Sequence, residues 1–559
     1  MADDPDPDTR AELESLINRG DVAAITDRFA APLRFGTAGI RGPLGAGPGR
    51  MNQALVRRVS AGLAARLQAQ AEAAGHGVVV GRDARHGSSA FAQDTAAVLA
   101  GAGLPVQAFD GVVPTPLLAF AVRHLGAAAG VQITASHNPP GDNGYKVYWS
   151  GGGQIFAPLD AEIAQAADAA APVADIPLDA EGVTAVSPDV RSAYIDAVLE
   201  LCRHRQARDL TIVYTPLHGV AGDLVLDVLE RAGFTDVHPV PSQFAPDPDF
   251  PTVSFPNPEE PGALDHAFAH AAELDADLIL ANDPDGDRLA VAIPTDSGGW
   301  RALSGDEIGC LLAEYLLEQG AADDPGACVA TTVVSSRMLS RIAERHGAGY
   351  DETLTGFKWL ADKADTVEQS GGHMVLAYEQ ALGVMCGTAV RDKDGISGAL
   401  VFSELAAVRK AEGSSVAAAL DELAERYGVH TTVGQSVRLE GADGPALVDT
   451  VLRRLREDPP QQVGGVQVTA REDRGTARRF ESDGTVTVLS TPPTELLGFE
   501  LADGTRLQVR PSGTEPLLKF YIETVAPVTD DGLADARARS AAHAQHMAEA
   551  FLALAVHKA

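Results

Sequence analysis

Apolar and polar positions along this chain follow a pattern that occurs three times: a short apolar run, a polar or Gly-bearing turn, a stretch with apolar positions at helical spacing, a Gly-containing break and a second short apolar run. The copies are VVVGRDARHGSSAFAQDTAAVLAGAGLPVQAF from Val78 to Phe109, TIVYTPLHGVAGDLVLDVLERAGFTDVHPV from Thr211 to Val240, and CVATTVVSSRMLSRIAERHGAGYDETL from Cys328 to Leu354. Short apolar runs read as buried strands and the spaced stretches as the helices that cover them, so each copy predicts a strand–helix–strand unit of a largely parallel sheet. The copies recur at intervals of about 120 to 130 residues, too long for a solenoid repeat and suited to three similar α/β domains.

After about residue 430 the period changes to two, with alternating strands in VTVLS, LLGFEL and RLQV, a turn signal at Asp503-Gly504 and a closing helix from about Asp531 to Val556. This predicts a fourth domain of α+β type. Three stretches read as linkers: Ala164 to Pro188, the Pro-rich run from Pro239 to Pro261, which is expected to wrap a surface, and PTDSGGWRALSG before the helix at Asp306. The expected domains are therefore 1–207, 208–304, 305–430 and 431–559.

Composition narrows the function. A chain of 559 residues is too long for one core, and its 45% apolar and 22% charged residues are those of a globular protein. No run approaches the ~20 apolar residues that would span a bilayer, and MADDPDPDTR lacks the basic-then-apolar order of a signal segment, so a cytoplasmic location is expected. The net charge of −33 repels nucleic acid and anionic membranes. Any site for a phosphorylated ligand must then gather its own cations. Cys202, Cys310, Cys328 and Cys386 lie far apart and form no CxxC pair, which argues against a zinc site or a disulfide framework.

Three segments carry candidate chemistry. TASHNPPGDNGYKVY, Thr134 to Tyr148, follows an apolar strand, so Ser136 sits on a loop at a strand end with His137 beside it and Lys146 in the same region. A serine hydroxyl can carry a phosphoryl group where cations stabilise it, and a Lys whose pKa is lowered by its site can move a hydroxyl proton. DPDGDR, Asp283 to Arg288, also follows a strand. Its carboxylates at alternate positions, with Gly286 allowing a tight fold, can converge on one hard cation, for which Mg²⁺ is the natural occupant, while Arg288 stays available for a phosphate. RPSGTEP, Arg510 to Pro516, joins two strands of the last domain. Arg510, the hydroxyls of Ser512 and Thr514 and the backbone near Gly513 together make a phosphate nest. FGTAGIRG, with Arg41, and TGFKW, with Gly356 and Lys358, are smaller elements of the same texture. Each segment alone could be an ordinary turn.

In this order and spacing the five segments resemble the motifs of the α-D-phosphohexomutase superfamily, across nearly the whole chain, and look most like its phosphoglucomutase-2-like branch. The resemblance implies three related α/β domains with mixed, largely parallel sheets and a smaller C-terminal α+β domain around a central cleft. It implies an intramolecular phosphotransferase that interconverts hexose 1-phosphate and hexose 6-phosphate, of glucose or mannose, through a phosphoserine and a bisphosphorylated sugar. Ser136 would carry the phosphoryl group and ligate Mg²⁺ together with Asp283, Asp285 and Asp287. His137, Lys146 and Arg41 would move protons and stabilise charge. Arg288, Gly356, Lys358, Glu379, Arg510, Ser512, Gly513 and Thr514 would bind substrate. A sugar 1,6-bisphosphate such as glucose 1,6-bisphosphate would prime the enzyme, whose only partner would be a small sugar phosphate, with no nucleic acid or membrane involved and a monomer or homodimer expected.

The sequence departs from the family in the loop that reads the sugar: AYEQALG, Ala377 to Gly383, keeps Glu379 but has Gln380 and Ala381 where a Glu and a Ser are common. A site built around a substrate hydroxyl discriminates strongly through that contact, so a phosphopentomutase acting on ribose or deoxyribose phosphates is the alternative. Weaker alternatives are a non-catalytic sugar-phosphate binder, which would tolerate erosion at Ser136 or the Asp triplet, and a phosphoserine hydrolase.

Overall fold

All three predicted strand–helix–strand units are present in the computed structural model, which describes residues 3–36, 38–70, 75–321, 324–439, 444–512 and 517–556. The first is strand Val78–Arg82, helix Ser88–Gly101 and strand Val106–Ala108, with Val78 opposite Val106 in parallel. The second is Ile212–Thr215, Gly222–Ala232 and Val237–Pro239, with Ile212 opposite Val237. The third is Ala327–Thr332, Met338–His346 and Gly349–Thr353, with Cys328 opposite Gly349. The leading strands are buried along their length, which is why they read as unbroken apolar runs. Gly233 and Gly347 stop the second and third helices in the left-handed conformation that glycine adopts without a Cβ clash.

The chain divides into two compact units, Met1–Ile308 with Gly356–Ser414, and Gly309–Thr355 with Ser415–Ala559. In the first unit a six-stranded sheet runs in the order Ile40–Pro43, Asp142–Trp149, Ala129–Ile133, Val78–Arg82, Val106–Ala108, Val183–Ala185. A five-stranded sheet runs Trp300–Ala302, Ala290–Pro294, Leu278–Ala281, Ile212–Thr215, Val237–Pro239. Each sheet has a parallel half and an antiparallel edge. The antiparallel edge positions the chemistry. Strand Ala129–Ile133 leads into the Ser136 loop and Asp142–Trp149 returns beside it; Leu278–Ala281 leads into the Asp283–Arg288 loop and Ala290–Pro294 returns. A third hairpin, His373–Glu379 with Gly383–Cys386, turns at Gln380, Ala381 and Leu382 in the same way.

Two of the expected linkers are instead built into sheets. In the stretch from Ala164 to Pro188, helix Leu159–Asp168 packs on helix Gln53–Gln68 and strand Val183–Ala185 pairs in parallel with Val106–Ala108. PTDSGGWRALSG forms a hairpin in which Trp300–Ala302 returns along Ala290–Pro294, turning at Gly298 and Gly299, both at positive φ. Both edge strands are three residues long and largely exposed, too short to leave a periodic signal. The Pro-rich run begins at Pro239, the last residue of strand Val237–Pro239, and from Val240 to Pro261 it lacks regular structure.

The second unit carries an antiparallel sheet in the order Val429–Arg438, Leu517–Ala526, Arg506–Pro511, Leu497–Leu501, Val466–Asp473, Arg478–Glu481, Val486–Val488, with helices Gly444–Glu457 and Leu533–Val556 contributing to its core of Leu507, Val509, Leu518, Phe520 and Phe551. Among the described residues no helix is long and apolar enough to cross a membrane. Buried Glu523 ties this sheet to the Met338–His346 helix, accepting hydrogen bonds from Ser336 Oγ at 2.9 Å and Arg337 N at 2.8 Å while pairing with Arg506 at 3.1 Å and His430 at 3.0 Å. Burial works against its charge, but Arg506, His430 and Arg337 outweigh it and hold the carboxyl well below the usual range. Because the folded-state pKa is depressed, this contribution is complete above the ordinary glutamate pKa and disappears as pH falls through the folded value.

Glu523→Gln is expected to destabilise the second unit by about 3 kcal/mol at neutral pH, by stranding buried cations. The gap from wild type should shrink as pH falls below about 4.3, read from urea unfolding at a series of pH values.

Candidate active site

Ser136 is held in an unusual shape. Its backbone is left-handed, with φ 55°, which a residue bearing a Cβ adopts only under constraint. Ser136 N donates to Thr134 Oγ1 at 2.9 Å, and Ser136 Oγ donates to Asp283 Oδ2 at 2.7 Å with His137 Nδ1 3.1 Å away. The hydroxyl thus joins the six-stranded sheet's loop to that of the five-stranded sheet.

The Asp283, Asp285 and Asp287 side chains are all buried, and their oxygens lie within 4.8 Å of one another. Gly286 makes the turn at φ 73°, where a Cβ would lie 2.8 Å from that of Ala221. Cations from separate elements offset the charge: Lys146 Nζ is 2.6 Å from Asp285 Oδ2 and 2.9 Å from Asp287 Oδ2, and Lys393 Nζ is 3.2 Å from Asp287 Oδ2. Thr115 donates to the same Asp285 oxygen through Oγ1 at 2.6 Å and to the Asp285 carbonyl through its backbone N at 2.9 Å. Burial first, and then the neighbouring Asp285 and Asp287 carboxylates, push Asp283 up to about 8. Lys146 holds Asp285 below the ordinary carboxylate value against both burial and Asp287.

The expectation of a lowered Lys146 is corrected. Burial does act to lower it, but Asp285 and Asp287 outweigh burial and hold its ammonium above the ordinary lysine value. His137 moves the other way: burial, then the charges of Arg288 and Arg41, keep it well below the usual histidine range and therefore neutral. Arg41 donates to Asn138 Oδ1 at 3.2 Å, on the far side of the serine loop. Arg288 pairs with Glu259 at 3.3 Å, and its backbone N donates to Asp283 Oδ1 at 3.0 Å.

The Glu379 turn lies against these groups. Glu379 feels the charges of Lys393 and Arg288, though burial prevails and raises its pKa. Leu382 turns at φ 62°, and Gly305 allows the turn to pack closely, since a Cβ there would fall 2.2 Å from the Gln380 carbonyl oxygen. Lys358 stands apart, in the first turn of helix Phe357–Gln369, where burial lowers its pKa and Asp160 opposes this; Gly356 precedes that helix at φ 107°. In the second unit, Arg510 lies on strand Arg506–Pro511, where Nη1 donates to Thr355 Oγ1 and the buried Nε has no hydrogen-bond partner among the described residues. Ser512 N donates to Leu517 O at 2.7 Å. Gly513 and Thr514 lie outside the described residues.

The triplet fits a divalent cation. Asp285 Oδ1 and Asp287 Oδ1 are buried without a hydrogen-bond partner among the described residues, an arrangement that is costly for a carboxylate unless a cation completes it.

Sequence models of the phosphoglucomutase/phosphomannomutase domains match residues 32–173 (alpha/beta/alpha domain I), 192–298 (domain II), 304–427 (domain III) and 452–540 (C-terminal domain). The chain belongs to the phosphoglucomutase/phosphomannomutase family. It is thus a member of the α-D-phosphohexomutase superfamily, a phosphomutase with that family's four-domain α/β architecture. A Haemophilus influenzae protein named "Probable phosphomannomutase" is 39% identical over 479 residues, 85% of this chain and 93% of that one. A Schizosaccharomyces pombe protein named "Probable phosphoribomutase" is 39% identical over 540 residues, 93% of this chain and 91% of that one. The crystal structure of a phosphoglucomutase/phosphomannomutase family protein from Burkholderia thailandensis superimposes with TM-score 0.66 at 22% identity, over 93% of this chain and 97% of that one, and so shares the fold.

Sequence reasoning missed Lys393, Thr115 and Arg85. Lys393, in the segment Arg391–Asp394, is steered by Asp392 at 3.2 Å, whose other oxygen accepts from Tyr148 at 2.8 Å and Gln154 at 2.6 Å. Nothing in the local pattern marks a lone Lys or Thr; a basic residue between two acids, in RDKD, was the available signal.

Thr115→Val keeps the shape and removes the hydroxyl that fixes Asp285. It is expected to weaken divalent-cation binding about tenfold, measured by titration calorimetry with Mg²⁺ and with Mn²⁺.

Proposed function

We propose that the protein interconverts hexose 1-phosphate and hexose 6-phosphate, of glucose or mannose or both, by way of a phosphoserine at Ser136. The observation that carries this reading is the Ser136 Oγ–Asp283 contact at 2.7 Å, which joins a strained nucleophilic hydroxyl to a buried acidic triplet, two of whose oxygens have no hydrogen-bond partner among the described residues. Asp283, Asp285, Asp287 and a phosphoryl oxygen on Ser136 would hold Mg²⁺, which supplies neutralising charge to the phosphoryl group. In the first half-reaction the bond from Ser136 Oγ to phosphorus breaks as a sugar hydroxyl oxygen bonds to it, and the hydroxyl proton leaves to a base. Neutral His137 suits that base, while charged Lys146 and Arg41 stabilise the transferring oxygens. The reverse reaction at the sugar's other phosphate regenerates phosphoserine, so a sugar 1,6-bisphosphate such as glucose 1,6-bisphosphate primes the cycle.

Arg288, Gly356, Lys358 and Glu379 are assigned to the sugar phosphate, and Arg510, Ser512, Gly513 and Thr514 to the phosphate that is not being transferred. The Nε of Arg510, buried without a hydrogen-bond partner among the described residues, supports that role. The same reading has a cytoplasmic enzyme, working as monomer or homodimer on small molecules alone. The intact serine, triplet and cationic residues disfavour a non-catalytic binder.

The pentose reading keeps two supports, the altered Glu379-Gln380-Ala381 turn and the pentose names of several relatives, the yeast one among them. The phosphomannomutase name of the bacterial relative and the family itself favour hexose. Rates on glucose 1-phosphate, mannose 1-phosphate and ribose 1-phosphate, each with bisphosphate primer, separate them. A hexose is expected to lead; a pentose preference above about tenfold in kcat/KM, some 1.4 kcal/mol of transition-state binding, would reverse the assignment.

Ser136→Ala is expected to abolish turnover with the fold intact, and tryptic peptides of the wild type are expected to carry phosphate on Ser136. An unphosphorylated peptide with full activity in the alanine variant would remove the mechanism.

A further inference from the structure

The Ser136 loop has a support that none of its own residues supplies. Between Thr134 and Asp142 the chain leaves the sheet, and the carbonyls of Ser136, Asn138, Pro139 and Asp142 all turn toward one point. The buried guanidinium of Arg85 occupies that point. Nη2 donates to Ser136 O at 2.7 Å and Asn138 O at 2.5 Å, and Nη1 donates to Pro139 O at 2.8 Å and Asp142 O at 3.1 Å. No other side chain could do this, because only a guanidinium offers a planar fork of several N–H donors with a fixed charge.

The flat face of that fork is also used. The Phe250 ring lies 4.9 Å from Arg85 Cζ, and Phe250 comes from the Pro-rich run of the neighbouring sheet's domain. Phe250 is itself buried and left-handed, at φ 46°, as are Leu217 at φ 48° and His218 at φ 59°. Bulky residues in this region of backbone space are outliers that persist only when their surroundings over-determine them, and such residues gather at functional sites. Here the surroundings are traceable: His218 N donates to Gln243 O at 2.8 Å, Asp247 N to His218 O at 3.1 Å, and Val220 N to Pro284 O at 2.8 Å. Gly219 approaches Pro284 so closely that a Cβ would sit 2.4 Å from its Cα. The backbone that presents Phe250 is therefore fastened to the loop that bears the Asp triplet.

We infer that Arg85 and Phe250 form a bracket that sets the position of Ser136 relative to the Asp triplet, Arg85 gripping the serine loop and Phe250 registering it against the triplet's own loop. Both are positioning residues: neither touches the substrate, and both act through Ser136. The inference rests on Ser136 carrying the phosphoryl group. It assigns the Pro-rich run a part in the chemistry beyond wrapping a surface.

The test compares Arg85→Ala, Arg85→Lys and Phe250→Leu with wild type, on whichever of glucose 1-phosphate or ribose 1-phosphate the wild type turns over faster, with bisphosphate primer and circular dichroism as the check on folding. Misplacing a reacting group by about 1 Å costs about 100-fold, so Arg85→Ala is expected to lose about that factor in kcat with KM within about threefold. Arg85→Lys should stay low, because a single ammonium cannot serve four carbonyls. Phe250→Leu should lose about tenfold in kcat, also with KM little changed. Added guanidinium ion should restore kcat in Arg85→Ala and leave Phe250→Leu unchanged. A merely structural arginine predicts activity that follows the folded fraction. That result, or near wild-type kcat in folded Arg85→Lys, or no rescue by guanidinium in folded Arg85→Ala, overturns the bracket. Should Arg85→Ala fail to fold, Phe250→Leu decides: wild-type kcat overturns the proposal and a selective kcat loss upholds it. Phosphopeptide analysis of the wild type tests Ser136 separately, so a phosphorylated Ser136 beside an unaffected Arg85→Lys rejects the bracket alone.

Discussion

Three carboxylates buried on alternate residues of one short loop repel one another, and the first unit is arranged around that repulsion. Asp283 registers it directly: burial and its two neighbours push it up to about 8. Charges in such a place are tolerable only when paired and hydrogen-bonded. The pairing arrives from distant parts of the chain, Lys146 from the strand after the serine loop and Lys393 from the segment before helix Gly395–Ala411. The position of Ser136, 2.7 Å from Asp283, follows from the same convergence. What makes the loop costly to fold also makes it fit to bind a cation, since two carboxylate oxygens keep lone pairs that no described donor uses.

Internal repetition explains how three different tools come to the same place. The serine loop, the acidic loop and the Glu379 turn each sit at the turn of an antiparallel hairpin, two of them on the edge of a parallel half-sheet. Strand ends of α/β sheets are where ligands usually bind. A repeated domain therefore offers equivalent sites, and the side chains at each are free to differ: a hydroxyl at Ser136, the three carboxylates of Asp283, Asp285 and Asp287, and a single carboxylate at Glu379.

The parts legible in the sequence were those with a local signature. Val78–Ala108, Ile212–Pro239 and Ala327–Thr353 were marked by period and by Gly breaks, and Ser136 and the triplet by dense polar motifs after apolar runs. The edge strands Val183–Ala185 and Trp300–Ala302 left no such mark, being short and exposed. Lys393, Thr115 and Arg85 are single residues whose meaning comes from tertiary neighbours, as with the four carbonyls that converge on Arg85. The direction of the Lys146 shift is hidden from the sequence for a similar reason. Burial alone would lower it, and only the placement of Asp285 and Asp287 against it reverses the sign.

Whether Ser136 gives its phosphoryl group to the sugar and takes the sugar's other phosphoryl group in its place, with none lost to water, is read from a single turnover. Enzyme bearing labelled phosphate on Ser136 is mixed rapidly with unlabelled hexose 1-phosphate and quenched over time. Label is expected to leave Ser136 for a hexose 1,6-bisphosphate at least as fast as steady-state turnover, and then to appear in hexose 6-phosphate as Ser136 takes up unlabelled phosphate. Label appearing chiefly as inorganic phosphate, or remaining on Ser136 while product forms, would contradict it.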